Sequence, residues 1–137
     1  MRIRRTIAVL GVVAAALASL VAPGVLFADD APTVIDIQVA PSTLNLGYEG
    51  KSVTVHADLP YFVACNYDWE LNGVASYYTF ADDCGDLVAK FHVSDIAEVV
   101  GLGGVTMTLT GEDGSVVIYE GTDDVRVIDK TPTMKNR

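Results

Sequence analysis

Histidine is scarce in this chain: there are two among 137 residues, at 56 and 92. A Ser–His–acid triad needs an imidazole held by a third group, and with neither a Gly-x-Ser-x-Gly turn nor a His-Glu-x-x-His pair the sequence argues against a hydrolase. Two paired carboxylates can also work without histidine, but they must face each other across a cleft, and so short a chain offers little room for one. Cations are scarce too, nine Lys and Arg against eighteen Asp and Glu, for a net charge of −9. Such a surface repels nucleic acid and anionic headgroups. Cysteine is limited to Cys65 and Cys84, far from a Cys-x-x-Cys spacing, so a redox motif is excluded. There are no internal repeats and no low-complexity tract.

The first residues set an address. Arg2, Arg4 and Arg5 precede an apolar run from Ile7 to about Val21, Pro23-Gly24 breaks it, and Ala28 stands before Asp29-Asp30. This order is that of a secretory signal peptide, residues 1–28, cut after Ala28. An uncleaved anchor over Ile7–Phe27 is the alternative, and Arg4-Arg5 leaves Sec and twin-arginine export both open. Removal of the leader takes three arginines and leaves six Lys/Arg against the eighteen acids. The expected product is acidic and either secreted or held in the periplasm or cell envelope, with no membrane or nucleic-acid partner. Beyond an export signal an even cysteine count points to a Cys65–Cys84 disulfide, which would close a loop of some twenty residues and stabilise by about 3 kcal/mol.

The mature chain reads as β. In Ser52–Leu59, residues Val53, Val55, Ala57 and Leu59 share one side of an extended backbone and Ser52, Thr54, His56 and Asp58 the other. The same period returns at Leu87–Phe91, Val105–Leu109 and Val125–Val127. Further strands are expected over Thr33–Val39, Leu44–Leu46, Tyr67–Leu71, Ala75–Phe80, Val116–Tyr119 and Asp124–Ile128. Asn72-Gly73 marks a tight turn. Ser94 is expected to cap a short helix over Asp95–Val99. The fold expected is all-β, an antiparallel two-sheet sandwich with one short inserted helix, in a domain over residues 29–129 followed by a flexible tail, 130–137.

Several segments carry a resemblance. Ile35-Asp36-Ile37 with Ser42–Leu46, Gly50–Val55 closed by Leu59-Pro60, Leu71-Asn72-Gly73, Gly85–Phe91, Val105–Glu112 and Tyr119–Ile128 together resemble an Ig-like β-sandwich accessory module of secreted and cell-surface bacterial and archaeal proteins. The resemblance implies an Ig-like fold, no catalytic residues, and a role in adhesion, assembly or surface structure. Members of that group often carry a longer, Asp-rich loop before the Asp-Leu-x-x-Lys-Phe strand; here it is shortened to Phe80–Asp86 and interrupted by Cys84.

Three constellations remain as candidate sites. Asp82, Asp83 and Asp86 offer carboxylate oxygens to Ca²⁺, without the spaced Asp-x-Asp-x-Asp-Gly pattern; a solvated acidic loop is the plainer reading. His56 and His92 lie on outward parities and suit a transition metal only if their strands are neighbours. The third is aromatic. Tyr61, Phe62, Tyr67, Trp69, Tyr77, Tyr78 and Phe80 crowd one stretch, and Trp69 has the parity of a core residue. Adjacent residues of a strand point opposite ways, so Tyr61, Phe62, Tyr77 and Tyr78 cannot all share a face, and some are left to bind a glycan or an extracellular protein. The alternative is that they pack edges and loops as good strand formers.

Overall fold

A computed structural model describes residues 31–48 and 50–130. The leader read over 1–28 and the tail beyond Lys130 lie outside the described residues. The described residues from Pro32 to Lys130 lie in one compact unit. In chain order it holds β1 (Thr33–Val34), β2 (Ile37–Ala40), β3 (Thr43–Asn45), β4 (Ser52–Pro60), α1 (Tyr61–Ala64), β5 (Asp68–Leu71), β6 (Val74–Ala75), β7 (Tyr78–Ala81), β8 (Asp86–His92), α2 (Val93–Ile96), β9 (Gly103–Asp113) and β10 (Val116–Ile128). A larger sheet runs β1-β10-β9-β5-β6, with β3 also on β10, and a four-stranded sheet runs β2-β4-β8-β7. The body is all-β, two sheets stacked on a shared interior.

The two-residue period places that interior. Val53 and Val55 of β4 are fully buried, with Leu87, Ala89 and Phe91 of β8, and Met107 and Leu109 of β9 close the other side. Trp69 of β5 is 3% exposed. Its indole lies flat on Gly111, where an added Cβ would stand 2.6 Å from the ring. The indole N–H donates to the Ala64 carbonyl at 2.8 Å, and the ring stacks on Tyr119 at 6.1 Å. A flat, wide side chain needs a partner strand without a side chain opposite it, and Gly111 in register with Trp69 supplies that.

Four expectations change in shape. The segment 33–39 is two strands: β1 pairs with β10 in the larger sheet, and the chain then crosses to lay β2 on β4. Both β1 and β3 run parallel to β10, so the larger sheet is mixed. The Asn72-Gly73 turn forms, with Asn72 at φ 49° and Gly73 at φ 85°, but only Val74–Ala75 return along β5 before the chain leaves for the other sheet as β7. The expected break at 120–123 is absent: β10 runs through it, because Gly121 lets the Ile35 carbonyl approach to 2.6 Å of where a Cβ would sit.

The helices are also corrected. There are two among the described residues, each a single turn. The second begins at Val93, two residues before the expected start, and its N-cap is His92 with no side-chain hydrogen bond, so Ser94 does not cap it. The burial of Val93 and Ile96 fixes this turn in place of a cap. At the other end of the chain Lys130, expected to open the tail, is held on both sides: its N–H donates to Asn45 Oδ1 and its carbonyl accepts from Asn45 Nδ2, each at 2.9 Å.

Candidate functional site

The outward parity of β4 carries Ser52, Thr54, His56 and Asp58, and that of β8 carries Val88, Lys90 and His92. Edge strand β7 brings Tyr78 opposite Lys90 and Phe80 opposite Val88. The Tyr78 and Phe80 rings stack at 5.5 Å, and the Lys90 ammonium lies 5.9 Å from the Phe80 centroid. Val88 is fully buried although it points away from the core, which shows that side chains roof this face.

Tyr77 joins the same face by leaving the strand rule. It sits in a bend before β7, with its N–H donating to the Lys90 carbonyl at 2.9 Å. From there its ring lies parallel to His92 at 3.9 Å and 6°, and its hydroxyl is hydrogen-bonded to Ser52 Oγ. Two successive tyrosines therefore share one surface, against the strict alternation expected from sequence. Tyr77 is 45% exposed and Tyr78 57%.

The other two expected ligand-binding aromatics do not join them. Tyr61 starts α1 and is half-buried against the core, its hydroxyl 3.4 Å from Thr79 Oγ1. Phe62 projects from α1, is 76% exposed, and forms no ring pair among the described residues. Trp69 lies in the core, as its parity requires, and Tyr67 packs edge-on against Tyr119 at 5.3 Å.

A cleft of about 340 Å³ lies where the chain passes from β6 to β7, lined by Tyr67, Asp68 and Trp69 of the β5 side and by Ser76, Tyr77, Tyr78 and Thr79. Its walls are mainly polar. Lys90, His92 and Ser52 are absent from the candidates read from sequence. Their outward parity is legible there, but which of them meet Tyr77 and Tyr78 depends on the register across β4, β8 and β7.

The acidic loop is a turn closed on Asp82. Asp82 Oδ1 accepts the Cys84 and Asp86 amides at 2.8 and 2.9 Å, and the Gly85 amide donates to the Asp82 carbonyl at 2.9 Å. The Asp86 amide foremost, and the Cys84 amide and nearby His56 after it, hold the Asp82 carboxyl below its ordinary range. Asp82 Oδ2 lies 3.8 Å from His56 Nδ1. Among the described residues no three His, Cys, Asp or Glu side chains converge on a point that would hold a metal ion, so the calcium set Asp82, Asp83 and Asp86 does not assemble. The two histidines are apart as well: β4 and β8 are neighbours, but His92 pairs with Ser52 and His56 with Val88, about 13 Å along the strands.

The expected disulfide is not formed. Cys65 and Cys84 are free and exposed. Cys65 caps α1 and turns its thiol to the Phe62 carbonyl at 3.5 Å. Cys84 sits in the turn that Asp82 already closes, and the α1 end is tied to that turn by a backbone bond from the Tyr61 N–H to the Gly85 carbonyl at 2.8 Å. Backbone hydrogen bonds thus make the loop closure that the bridge was expected to supply.

No helix among the described residues is long and apolar enough to cross a membrane. Comparison of the chain with protein-family models, with curated protein sequences and with solved structures finds no match.

Proposed function

We propose that this chain is an exported, non-catalytic binding module of the Ig-like kind, secreted or retained in the cell envelope, that serves adhesion or assembly through the outer face of its smaller sheet. The observation that carries this reading is the grouping of Tyr77, Tyr78 and Phe80 with His92 and Lys90 on one outward surface. Exposed aromatics lose little conformational freedom on binding and supply large contact areas. Here the stack on His92 and the bond to Ser52 fix the Tyr77 ring before any partner arrives. The partner on this reading is an extracellular protein or glycan.

The test is retention on cell envelopes of the native host. Wild-type protein is expected to be retained, and Tyr78→Ala to be released with its urea midpoint unchanged, since Tyr78 lies outside the core cluster. Tyr61→Ala is unsuited to this test because Tyr61 packs against the interior. Equal retention of wild type and Tyr78→Ala would remove the reading.

A further inference from the structure

The smaller sheet has two edge strands, β2 and β7, and the chain treats them differently. An edge strand turns the N–H and C=O groups of every second residue to its open side, where another strand can add. On β2 that side is blocked. The Val39 N–H donates to Asp123 Oδ2 of β10 at 2.8 Å. Just before β2, the Ile35 N–H donates to the Glu120 carbonyl of β10 at 2.9 Å.

On β7 the opposite holds. The Asp82 N–H donates to the Asp86 carbonyl at 2.8 Å, which sets the phase of the ladder. Phe80 stands opposite Val88 and Tyr78 opposite Lys90. Alternation therefore gives Phe80 and Tyr78 the bonds to β8, and turns the backbone groups of Thr79 and Ala81 to the open edge. Among the described residues nothing accepts from the N–H of Thr79 or Ala81. The Thr79 carbonyl meets only the Tyr61 hydroxyl, at 3.5 Å. Ala81 is exposed, and the cleft that Tyr78 and Thr79 help to line leaves room at the other end of the strand.

The open edge and the aromatic surface belong to one strand. A chain laid along β7 would lie about 4.8 Å away, with its own outward side chains level with Tyr78 and Phe80 and within cross-strand reach. Main-chain bonds then supply affinity while the rings select side chains. An extended peptide meets both demands, whereas a glycan has no row of alternating amides and carbonyls to match the edge. Charge selects among peptides. β7 runs directly into Asp82 and Asp83, and the chain carries −9. A second copy would bring the same charge to this edge, and a basic segment is drawn to it.

Resting on the reading of the β7 side as a binding surface, we infer that β7 is a strand-addition site. An extended, basic segment of a partner protein pairs with the backbone of Thr79 and Ala81, sets an apolar side chain beside Tyr78 or Phe80, and brings Lys or Arg to Asp83.

The experiment titrates the full chain with peptides of about ten residues whose core alternates valine and threonine. One carries lysines at both ends, one carries glutamates there, and one is the lysine peptide N-methylated throughout its core. Calorimetry and amide hydrogen exchange at Thr79 and Ala81 are the readouts. The lysine peptide is expected to bind saturably and to protect both amides, the glutamate peptide to bind about tenfold more weakly or worse, and the methylated peptide not to bind. Ala81→Pro removes an N–H that β8 does not use and is expected to weaken binding about tenfold. Asp83→Lys, at an exposed loop position, is expected to weaken the lysine peptide several-fold and guards against a proline variant that fails to fold. No saturable binding of the lysine peptide, equal affinity for the glutamate or methylated peptide, unprotected amides in the bound state, or unchanged affinity in folded Ala81→Pro would overturn the assignment. A dimer that forms with rising concentration and competes with the peptide would overturn it too, and give the edge to a second copy. If Tyr78→Ala releases the protein from envelopes while no peptide binds, strand addition falls and the aromatic surface stands. If envelope retention is also indifferent to Tyr78, both fall.

Discussion

Two groups of aromatic side chains arise from the same twenty-residue stretch and end on opposite sides of a sheet layer. Tyr67 and Trp69 turn inward from the larger sheet and meet Tyr119 in edge-on and stacked contacts. Tyr77, Tyr78 and Phe80 turn outward on the smaller sheet and meet a histidine and a lysine. The inner group is fitted to backbone: Trp69 occupies the space that Gly111 leaves and satisfies its one polar atom on Ala64. The outer group is fitted to neighbouring side chains, and Tyr77 and Tyr78 stay exposed. An aromatic ring that fills a backbone-lined slot stabilises the fold, whereas one held by neighbouring side chains on a surface is free to serve a partner.

Substitutions on the two groups should therefore separate stability from binding. The largest effect is expected at Trp69→Ala, which empties the slot and leaves the Ala64 carbonyl without its donor. A loss of about 3–5 kcal/mol is expected from urea unfolding. Gly111→Ala attacks the same contact from the opposite strand. With backbone behind it the new methyl has no retreat, and about 1–3 kcal/mol is expected. A Gly111→Ala protein as stable as wild type would show that the indole does not lie where described. Tyr78→Ala is the outer counterpart: loss of envelope retention with stability within about 0.5 kcal/mol of wild type. A loss as large as that at Trp69 would erase the distinction between the two groups.

The smallest effect is expected on the other face of Trp69's own strand. Glu70 points outward from β5, and its carboxyl is raised above the ordinary range by partial desolvation first and then by the Glu112 carboxylate beside it. A carboxyl with a folded-state pKa above its unfolded value opposes folding once ionised. Stability attributable to it is present at pH below its unfolded pKa near 4.5 and is lost as pH rises through the raised value. Glu70→Gln is therefore expected to be slightly more stable than wild type at pH 7. The difference should vanish by about pH 4, where wild-type Glu70 is itself protonated. Thermal midpoints of both proteins from pH 3.5 to 7.5 check this. A neutral-pH loss in Glu70→Gln would refute it.

Parts of this arrangement were readable from residues alone. Val53, Val55, Phe91, Met107 and Leu109 lie on the parity that periodicity assigns to the core, and Trp69 follows it too. The Asn72-Gly73 turn forms where its dipeptide demands positive φ. Other expectations failed for identifiable reasons. Residues 33–39 and 75–80 each read as one strand because alternation continues through them, yet each crosses between sheets, and nothing in a period of two marks a crossing. Tyr61–Ala64 forms a helical turn where aromatics alone suggested extended chain. Residues 120–123 read as a break between two strands, yet Gly121 lies inside β10 and lets the Ile35 carbonyl come close there. The cysteines illustrate the same gap. Number and compartment favoured a bridge, and the Asp82 turn closes the loop by hydrogen bonds instead.

The sequence by itself determined which residues are interior and that the fold is made of strands, because burial on a pleated backbone demands an apolar side chain at every second position and that demand is written locally. It also determined the acidity of the surface. Only the tertiary structure decided which outward residues become neighbours. Tyr77 reaches His92 and Ser52 through cross-strand register and a bend at the sheet edge. Those depend on segments far apart in the chain, so no local pattern encodes them.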